Sequence, residues 1–188
     1  MFSTAAEFVS ANLECLTHVD NADLSSFDGS MTWAIWVRPA DHTNYEMWMG
    51  QWDGGANRGF SLWKGTGAGG NFNVDWSQNG VDGFALNSGV AYVNNTWHCL
   101  IFWYDKTNTT IGISQDDSAP ATDSINAANL NDSSLAFWFS GSSGHNFYFV
   151  NGRMDEPTKW HKILSAAERT DWRNSGNGKA WPFIPDHT

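Results

Sequence analysis

The chain has few of the features that mark several large classes of protein. Lys and Arg number only 10 against 20 Asp and Glu, which gives a formal net charge of −10. Such a surface repels a phosphate backbone, so the composition argues against nucleic acid binding and against docking on an anionic membrane. No apolar run approaches the length that spans a membrane. The first residues have neither a basic region nor an unbroken apolar stretch, so no secretory signal is visible.

Cysteine is scarce as well, since Cys15 and Cys99 are the two in the chain. Both fall at expected strand positions, and we interpret them as buried thiols in neighbouring strands. A disulfide is the alternative if the strands place the two residues correctly. Two cysteines far apart in sequence, with no paired histidine spacing, argue against a zinc site.

The motifs of hydrolytic enzymes are also missing. Gly-x-Ser-x-Gly does not occur, and the six histidines are scattered without a partner pattern. The acidic pairs Asp116-Asp117 and Asp155-Glu156 are adjacent, so in a strand the two side chains of each pair point to opposite faces. A glycosidase needs two carboxyl groups on one face. We therefore expect that the protein is not an enzyme.

Aromatic residues are abundant, with 12 Trp and 12 Phe in 188 residues. The length suits one domain over residues 1–188, and the hydrophobic share of 41% is ample for a core. Short runs of alternating apolar residues separated by turns predict an all-β, two-sheet antiparallel sandwich. Residues 96–104 are apolar on both faces, which indicates a central strand.

The stretch from Phe147 to Gly178 contains the strongest local signals. Residues 147–150 alternate as in a strand, and Asn151-Gly152 predicts a turn because both residues tolerate positive φ. Ser165 and Glu168 have the spacing of a capping box at the start of a helix.

Three segments carry a resemblance to a known family. The closing stretch combines Phe149, Gly152, Asp155-Glu156 and Trp160 with the helix start at residues 164–168. Residues 31–39 and 96–105 supply an early strand with Trp36 and Pro39, and a central strand with Trp97 and His98. In this order the segments resemble the laminin G-like, concanavalin A-like jelly rolls. The resemblance implies a jelly-roll sandwich with one short C-terminal helix. Lectins, adhesion modules and glycosidases share this fold, and the Glu-x-Asp-x-(x)-Glu strand motif of the family's hydrolases is absent here.

Glycan binding requires flat aromatic faces beside amides and carboxylates. The stretch between Trp48 and Asp82 supplies this mixture. The alternative for any one Trp here is that it alternates into the core, but Trp52 lies at a strand end beside Gly54-Gly55 and is expected to be exposed. The candidate ligand-binding residues are Trp52, Asp53, Asn57, Arg58, Trp76, Asn79 and Asp82.

Calcium prefers several hard oxygen ligands supplied by loops. The candidate ligands are Asp20, Asn21, Asp23 and Asp155. The resemblance implies that the first loop lies near the closing strand, so these residues would share one site. The alternative is that the loop residues make turn hydrogen bonds and that Asp155 is a structural strand residue.

We expect a non-catalytic glycan-binding or adhesion module, calcium-assisted if the calcium site exists. The alternative is a structural or decoration protein on the surface of a virion or other particle, docking through residues 1–8 or 180–185. The predicted location is accordingly extracellular or on a virion surface.

Overall fold

The computed structural model describes residues 5–25, 28–53, 55–67, 69–125, 129–142 and 148–178. Within these residues the chain forms twelve β-strands and two α-helices. In chain order the elements are β1 (Ala6–Phe8), β2 (Leu16–His18), α1 (Ala22–Ser25), β3 (Met31–Pro39), β4 (Glu46–Gly50), β5 (Phe60–Lys64), β6 (Asn71–Trp76), β7 (Phe84–Ala91), β8 (His98–Asp105), β9 (Thr110–Gln115), β10 (Ala121–Ser124), β11 (Phe137–Phe139), β12 (Gly152–Trp160) and α2 (Ala166–Arg173), with short 3-10 turns at Ser10–Asn12 and Asn174–Gly176.

The strands form two six-stranded antiparallel sheets that pack face to face. The first sheet has the order β1-β12-β3-β8-β9-β10, and the second has the order β2-β11-β4-β5-β6-β7. Strands from the two ends of the chain are neighbours, as where β12 pairs with β3. The predicted jelly-roll sandwich with one short C-terminal helix is confirmed.

The main apolar cluster lies between the sheets, where aromatic rings from both meet. The ring centroid of Phe60 in β5 is 5.5 Å from that of Trp33 in β3 and 5.9 Å from that of Phe102 in β8. The other face of β8 is buried too, because Cys99 and Ile101 belong to a second cluster outside the first sheet. A strand covered on both faces is the predicted central strand of the sandwich.

Helix α2 covers the outer face of the first sheet. Its buried Trp172 packs with Trp36 of β3, and the Trp172 ring is 5.5 Å from that of Trp160. The helix begins with the predicted capping box. The Ser165 hydroxyl accepts a hydrogen bond from the Glu168 backbone N–H at 3.2 Å, and the Glu168 carboxylate accepts one from the Ser165 N–H at 2.8 Å.

The segment before β12 differs from the prediction. Residues 148–150 do not lie in a strand, and Phe147 is outside the described residues. Gly152 opens β12, and a Cβ built on it would lie 2.4 Å from the backbone oxygen of Arg38. The predicted turn at Asn151-Gly152 is therefore wrong. A close approach of neighbouring backbone, not a turn, requires glycine here.

Cys15 and Cys99 are free thiols. Cys15 precedes β2 of the second sheet, whereas Cys99 lies in β8 of the first, so the expectation of neighbouring strands is wrong. Burial raises the pKa of the Cys99 thiol, which keeps it in the unreactive neutral form. Across the described ranges, no helix has the length and apolar character needed to cross a bilayer.

Gly50 at the end of β4 provides a test of this packing. Its φ is +148°, and a Cβ there would lie 2.3 Å from the backbone oxygen of Phe60. We expect Gly50→Ala to lower the free energy of unfolding by more than about 2 kcal/mol, measured by urea denaturation. Gly29→Ala is the control, since nothing lies within 4 Å of its Cβ position. Equal stability of the two variants would contradict the packing of β4 on β5.

Candidate functional site

The two faces of β5 and β6 differ in chemistry. Phe60 and Leu62 point into the core, so Ser61 and Trp63, which alternate with them, lie on the outer face of the second sheet. In β6, Val74 and its alternate neighbours belong to the core in the same way. This alternation leaves an outer face made of polar and aromatic side chains.

Strand register aligns these outer residues in rows across the sheet. Ser61 pairs with Gly50 on one side and with Asp75 on the other. Trp63 pairs with Met47 on one side and with Asn73 on the other. Directly opposed residues of an antiparallel sheet have side chains in contact range, so each row forms one continuous surface.

A pocket of about 430 Å³ lies over these rows. This volume is within the range of small-molecule sites. Its lining combines aromatic rings with a few polar and charged groups. The lining residues are Tyr45, Glu46, Met47, Trp52, Asp53, Arg58, Ser61, Trp63, Asp75, Ser142 and Tyr148.

One wall of the pocket is formed by Trp52 and Arg58 in the loop between β4 and β5. The Arg58 guanidinium lies 5.1 Å from the Trp52 ring centroid, a cation–π distance. Its Nε donates to the Asp53 carbonyl at 3.2 Å, and an Nη1 N–H donates to the Val81 carbonyl. A Cβ on Gly83 would lie 2.6 Å from the Trp52 ring. Arg58 and Gly83 thus hold the half-buried Trp52 ring between two loops.

Two tyrosines from separate parts of the chain, Tyr45 and Tyr148, also line the pocket. The Tyr45 ring is 5.8 Å from the Trp63 ring at an interplanar angle of 52°. Tyr148 has a φ of 65°, and its carbonyl accepts a hydrogen bond from Met47 N–H at 2.9 Å. Both tyrosine side chains are about half exposed. The backbone of β4 therefore fixes where Tyr148 meets the pocket.

Asp75 carries the most perturbed charge on the outer face. Burial raises the pKa of its carboxyl to about 6. The hydrogen bond from Trp63 and the charge of Arg58 act in the opposite direction but are weaker. The Trp63 indole N–H donates to Oδ2 of Asp75 at 2.8 Å. The carboxylate is oriented by its neighbours, yet its negative charge is only partly compensated.

Glu46 borders the same pocket, but its carboxylate belongs to the interior. Its Oε1 is 3.3 Å from the Lys64 ammonium, and both side chains are at most 1% exposed. Burial raises the pKa of Glu46 to about 8. The Lys64 ammonium also donates to the Asn44 carbonyl at 2.9 Å. This pair is a structural element of the core, so Glu46 does not supply a second carboxylate to the pocket.

The seven candidate ligand-binding residues divide into four groups in the structure. Trp52, Asp53 and Arg58 line the pocket. Asn57 donates to the Ser134 hydroxyl at 2.6 Å, which joins two loops beside the pocket. Asn79 and Asp82 stabilise their own turn, since Asn79 Nδ2 donates to an Asp82 carboxylate oxygen at 2.9 Å and Asn79 Oδ1 accepts from the Asp82 N–H at 2.8 Å.

Trp76 is the wrong member of the predicted set. Its side chain is fully buried between the sheets, with its ring 5.4 Å from Phe60 and 5.9 Å from Phe102. It shares the inward face of β6 with Val74, so no ligand reaches it. The alternative interpretation, that a Trp in this stretch alternates into the core, holds for this residue.

Several lining residues were absent from the sequence candidates: Tyr45, Met47, Ser61, Trp63, Asp75, Ser142 and Tyr148. For Trp63 and Asp75 a signal existed in the alternation of β5 and β6. Once Leu62 and Val74 are assigned to the core, their neighbours must face outward.

The predicted calcium site stays a prediction. Among the residues the structure describes, no three His, Cys, Asp or Glu side chains form a group that could hold a metal ion, so Asp20, Asp23 and Asp155 do not form such a group. Asp20 accepts a hydrogen bond from the buried Gln51 amide at 2.9 Å. Asp155 accepts from the Glu156 N–H at 2.9 Å, and Asn21 accepts from the Leu24 N–H at 3.1 Å. These contacts match the alternative interpretation of turn and strand residues.

Comparison with known proteins gives a family and a set of structural neighbours. The family model Laminin_G_3, of the concanavalin A-like lectin/glucanases superfamily, matches residues 16–168. A search of curated proteins found no match.

Three solved structures illustrate the similarity. The CBM40 of the Ruminococcus gnavus IT-sialidase, bound to α2,3-sialyllactose, has a TM-score of 0.66 at 16% identity, covering 89% of this chain and 94% of that one. The native heptameric SAP-like pentraxin from Limulus polyphemus has a TM-score of 0.60 at 11% identity, covering 79% and 71%. The Streptococcus pneumoniae NanB sialidase has a TM-score of 0.68 at 14% identity, covering 89% of this chain but only 27% of that enzyme. At these identities the likeness establishes the fold.

The perturbed carboxyl of Asp75 leads to a pH-dependent prediction. A carboxyl whose pKa is higher in the folded than in the unfolded protein binds its proton more tightly when folded, so the free energy of unfolding falls as pH rises from about 4 to about 6. The Asp75→Asn substitution removes the ionisable carboxyl and with it this loss of stability at higher pH. We expect the variant to be more stable than the parent by about 1–2 kcal/mol at about pH 7.5 and equal to it at about pH 4, in urea denaturation. A difference that does not change with pH would contradict the assignment.

The calcium prediction is tested separately by thermal unfolding. A ligand that binds only the folded state raises the melting temperature. If the predicted site exists, calcium at millimolar concentration raises the melting temperature relative to chelator, and Asp20→Asn removes the rise. An unchanged melting temperature contradicts calcium binding and agrees with the hydrogen bonds seen at Asp20 and Asp155.

Proposed function

Because the chain belongs to the concanavalin A-like lectin/glucanases superfamily, and because its second sheet presents an aromatic and polar pocket, we propose that it is a non-catalytic glycan-binding module. The binding face is the outer face of β4, β5 and β6 together with the loops that flank it. One observation carries the proposal: four aromatic residues, Tyr45, Trp52, Trp63 and Tyr148, border one pocket with the oriented carboxylate of Asp75.

This arrangement suits a sugar better than a wholly apolar ligand. A pyranose has an apolar face that packs on an aromatic ring, and a rim of hydroxyls that require hydrogen-bond partners. The rings of Trp63 and Tyr45 provide the packing surface, while Asp75 provides an oriented acceptor. The neighbouring CBM40 structure, which contains α2,3-sialyllactose, supports a glycan ligand for this fold.

The same geometry favours binding over hydrolysis. Of the carboxylates that border the pocket, Glu46 is turned into the core and paired with Lys64. Asp53 Oδ1 accepts a hydrogen bond from the Gly55 N–H at 2.7 Å and so shapes its own loop. That leaves Asp75 as the carboxylate held on the sheet surface, whereas glycoside hydrolysis requires a pair. The match to only 27% of the NanB chain is consistent with an accessory role for this fold.

A glycan-binding role fits a protein that acts outside the cell, where glycans are displayed. The alternative role on a virion or other particle surface stays a prediction. Of the segments expected to dock there, residues 1–4 and 180–185 lie outside the described residues. Ala6–Phe8 form β1 at the edge of the first sheet, paired with β12.

A glycan array followed by tryptophan fluorescence titration tests the proposal. Trp52 and Trp63 both border the pocket, so ligand binding should change their emission. A lack of response to every neutral and charged glycan on the array would overturn the proposed function.

Substitution of the wall residue Trp52 separates binding from folding. We expect Trp52→Ala to weaken glycan binding by about 2 kcal/mol or more, the usual effect of a lost aromatic anchor. Its stability cost should be about 1 kcal/mol, because the ring is half buried. Trp36 lies beneath α2 and is only 1% exposed. Trp36→Ala therefore leaves a cavity and should lower the free energy of unfolding by about 3–5 kcal/mol.

Trp160→Ala is the matched control for the Trp52 substitution. Trp160 is also partly buried, but it packs against the cluster on the outer face of the first sheet. It should leave the affinity for the glycan unchanged. If it weakens binding as much as Trp52→Ala does, the pocket is not the binding site.

A further inference from the structure

The pocket lining also indicates the charge of the sugar. Resting on the proposed function, we infer that the pocket recognises glycans carrying a protonated amine, as in 2-amino-2-deoxy sugars whose amine is not acetylated. The inference combines the angle between the rings, the position of Asp75 and the charge balance of the lining.

The Trp63 and Tyr45 rings are tilted relative to each other and do not form one flat aromatic surface. The Trp63 and Tyr45 rings meet at 52° with centroids 5.8 Å apart, and Tyr148 borders the same space. Two rings tilted in this way present more than one π-face, and π-faces attract an ammonium group as well as the apolar face of a sugar.

Asp75 supplies a negative charge beside these rings. Its Oδ2 accepts the Trp63 N–H at 2.8 Å, so the carboxylate lies directly alongside the ring that would face the ligand. Asp75 and Ser61 occupy paired positions on the outer face, next to the row of Trp63 and Met47. Burial makes the ionised carboxyl costly, and a bound cation would offset that cost.

The remaining charges agree with a cationic ligand. Glu46 and Lys64 are buried against each other 3.3 Å apart, so the charged groups that face the pocket are Asp53, Asp75 and Arg58. The Arg58 guanidinium stacks on Trp52 and donates to the carbonyls of Asp53 and Val81. An anionic sugar would therefore be repelled by two carboxylates. The Arg58 guanidinium would compensate little, because it already contacts Trp52 and two backbone carbonyls. The net charge of −10 also attracts cations over longer range.

Two oligosaccharides with the same backbone test the inference. The probes are the β-1,4-linked tetramers of glucosamine and of N-acetylglucosamine, which differ in whether the nitrogen bears a charge. Calorimetry at near-neutral pH should show at least about tenfold tighter binding of the glucosamine tetramer. The preference should decrease at high salt, because screening weakens a charge–charge contribution.

Asp75→Asn should abolish this preference while leaving the protein folded. Asp123→Asn is the matched control, since it removes the same charge from the exposed edge strand β10 of the other sheet. The Asp123→Asn variant should keep the preference for the glucosamine tetramer. Loss of the preference in both variants would assign it to overall charge and overturn the role of Asp75.

The outcomes separate this inference from the proposed function. Equal or tighter binding of the N-acetylated tetramer, or selective binding of sialyllactose, overturns the inference and leaves the glycan-binding role in place. The absence of binding to any glycan overturns both.

Discussion

The register of β4, β5 and β6 is the constraint on which the rest of the structure depends. A strand alternates strictly between its two faces, so placing Phe60 and Leu62 in the core forces Ser61 and Trp63 outward. A shift of the β5 register by one residue would bury Trp63 and expose Phe60, which would disrupt both the core and the pocket. The packing of aromatic side chains between the sheets therefore determines which side chains lie on the outer face, although the core itself is not part of the pocket.

Much of the fold could be predicted from the pattern of residues in the sequence, but only part of the candidate site could be predicted in this way. The double-faced apolar run of β8 and the capping box at Ser165 depend on neighbours in sequence, and both predictions were confirmed. Trp63 and Trp76 look alike in sequence, and only the phase of each strand shows that one faces outward and the other inward. That phase is set by pairing between strands, which sequence order alone does not give.

The irregular positions were harder still to predict. A register shift between Met47 and Met49 interrupts the simple alternation of β4, so its outward residue cannot be counted from the strand end. Tyr148 reaches the pocket from a loop far along the chain, through a backbone hydrogen bond to Met47. The requirement for glycine at position 152 came from the nearby Arg38 backbone and not from a turn. In each case the decisive contact is with a residue distant in sequence.

The two perturbed carboxyls of the second sheet show how environment separates structural from binding roles. Burial raises the pKa of both Glu46 and Asp75. Glu46 faces inward and has its own ammonium partner, the equally buried Lys64, so its interactions lie within the fold. Asp75 faces outward, accepts a hydrogen bond from the neutral indole N–H of Trp63, and borders a pocket large enough for a ligand. Ionisation of Asp75 therefore lowers the stability of the fold, and a hydrogen-bonding or positively charged group placed against its carboxylate would offset that cost.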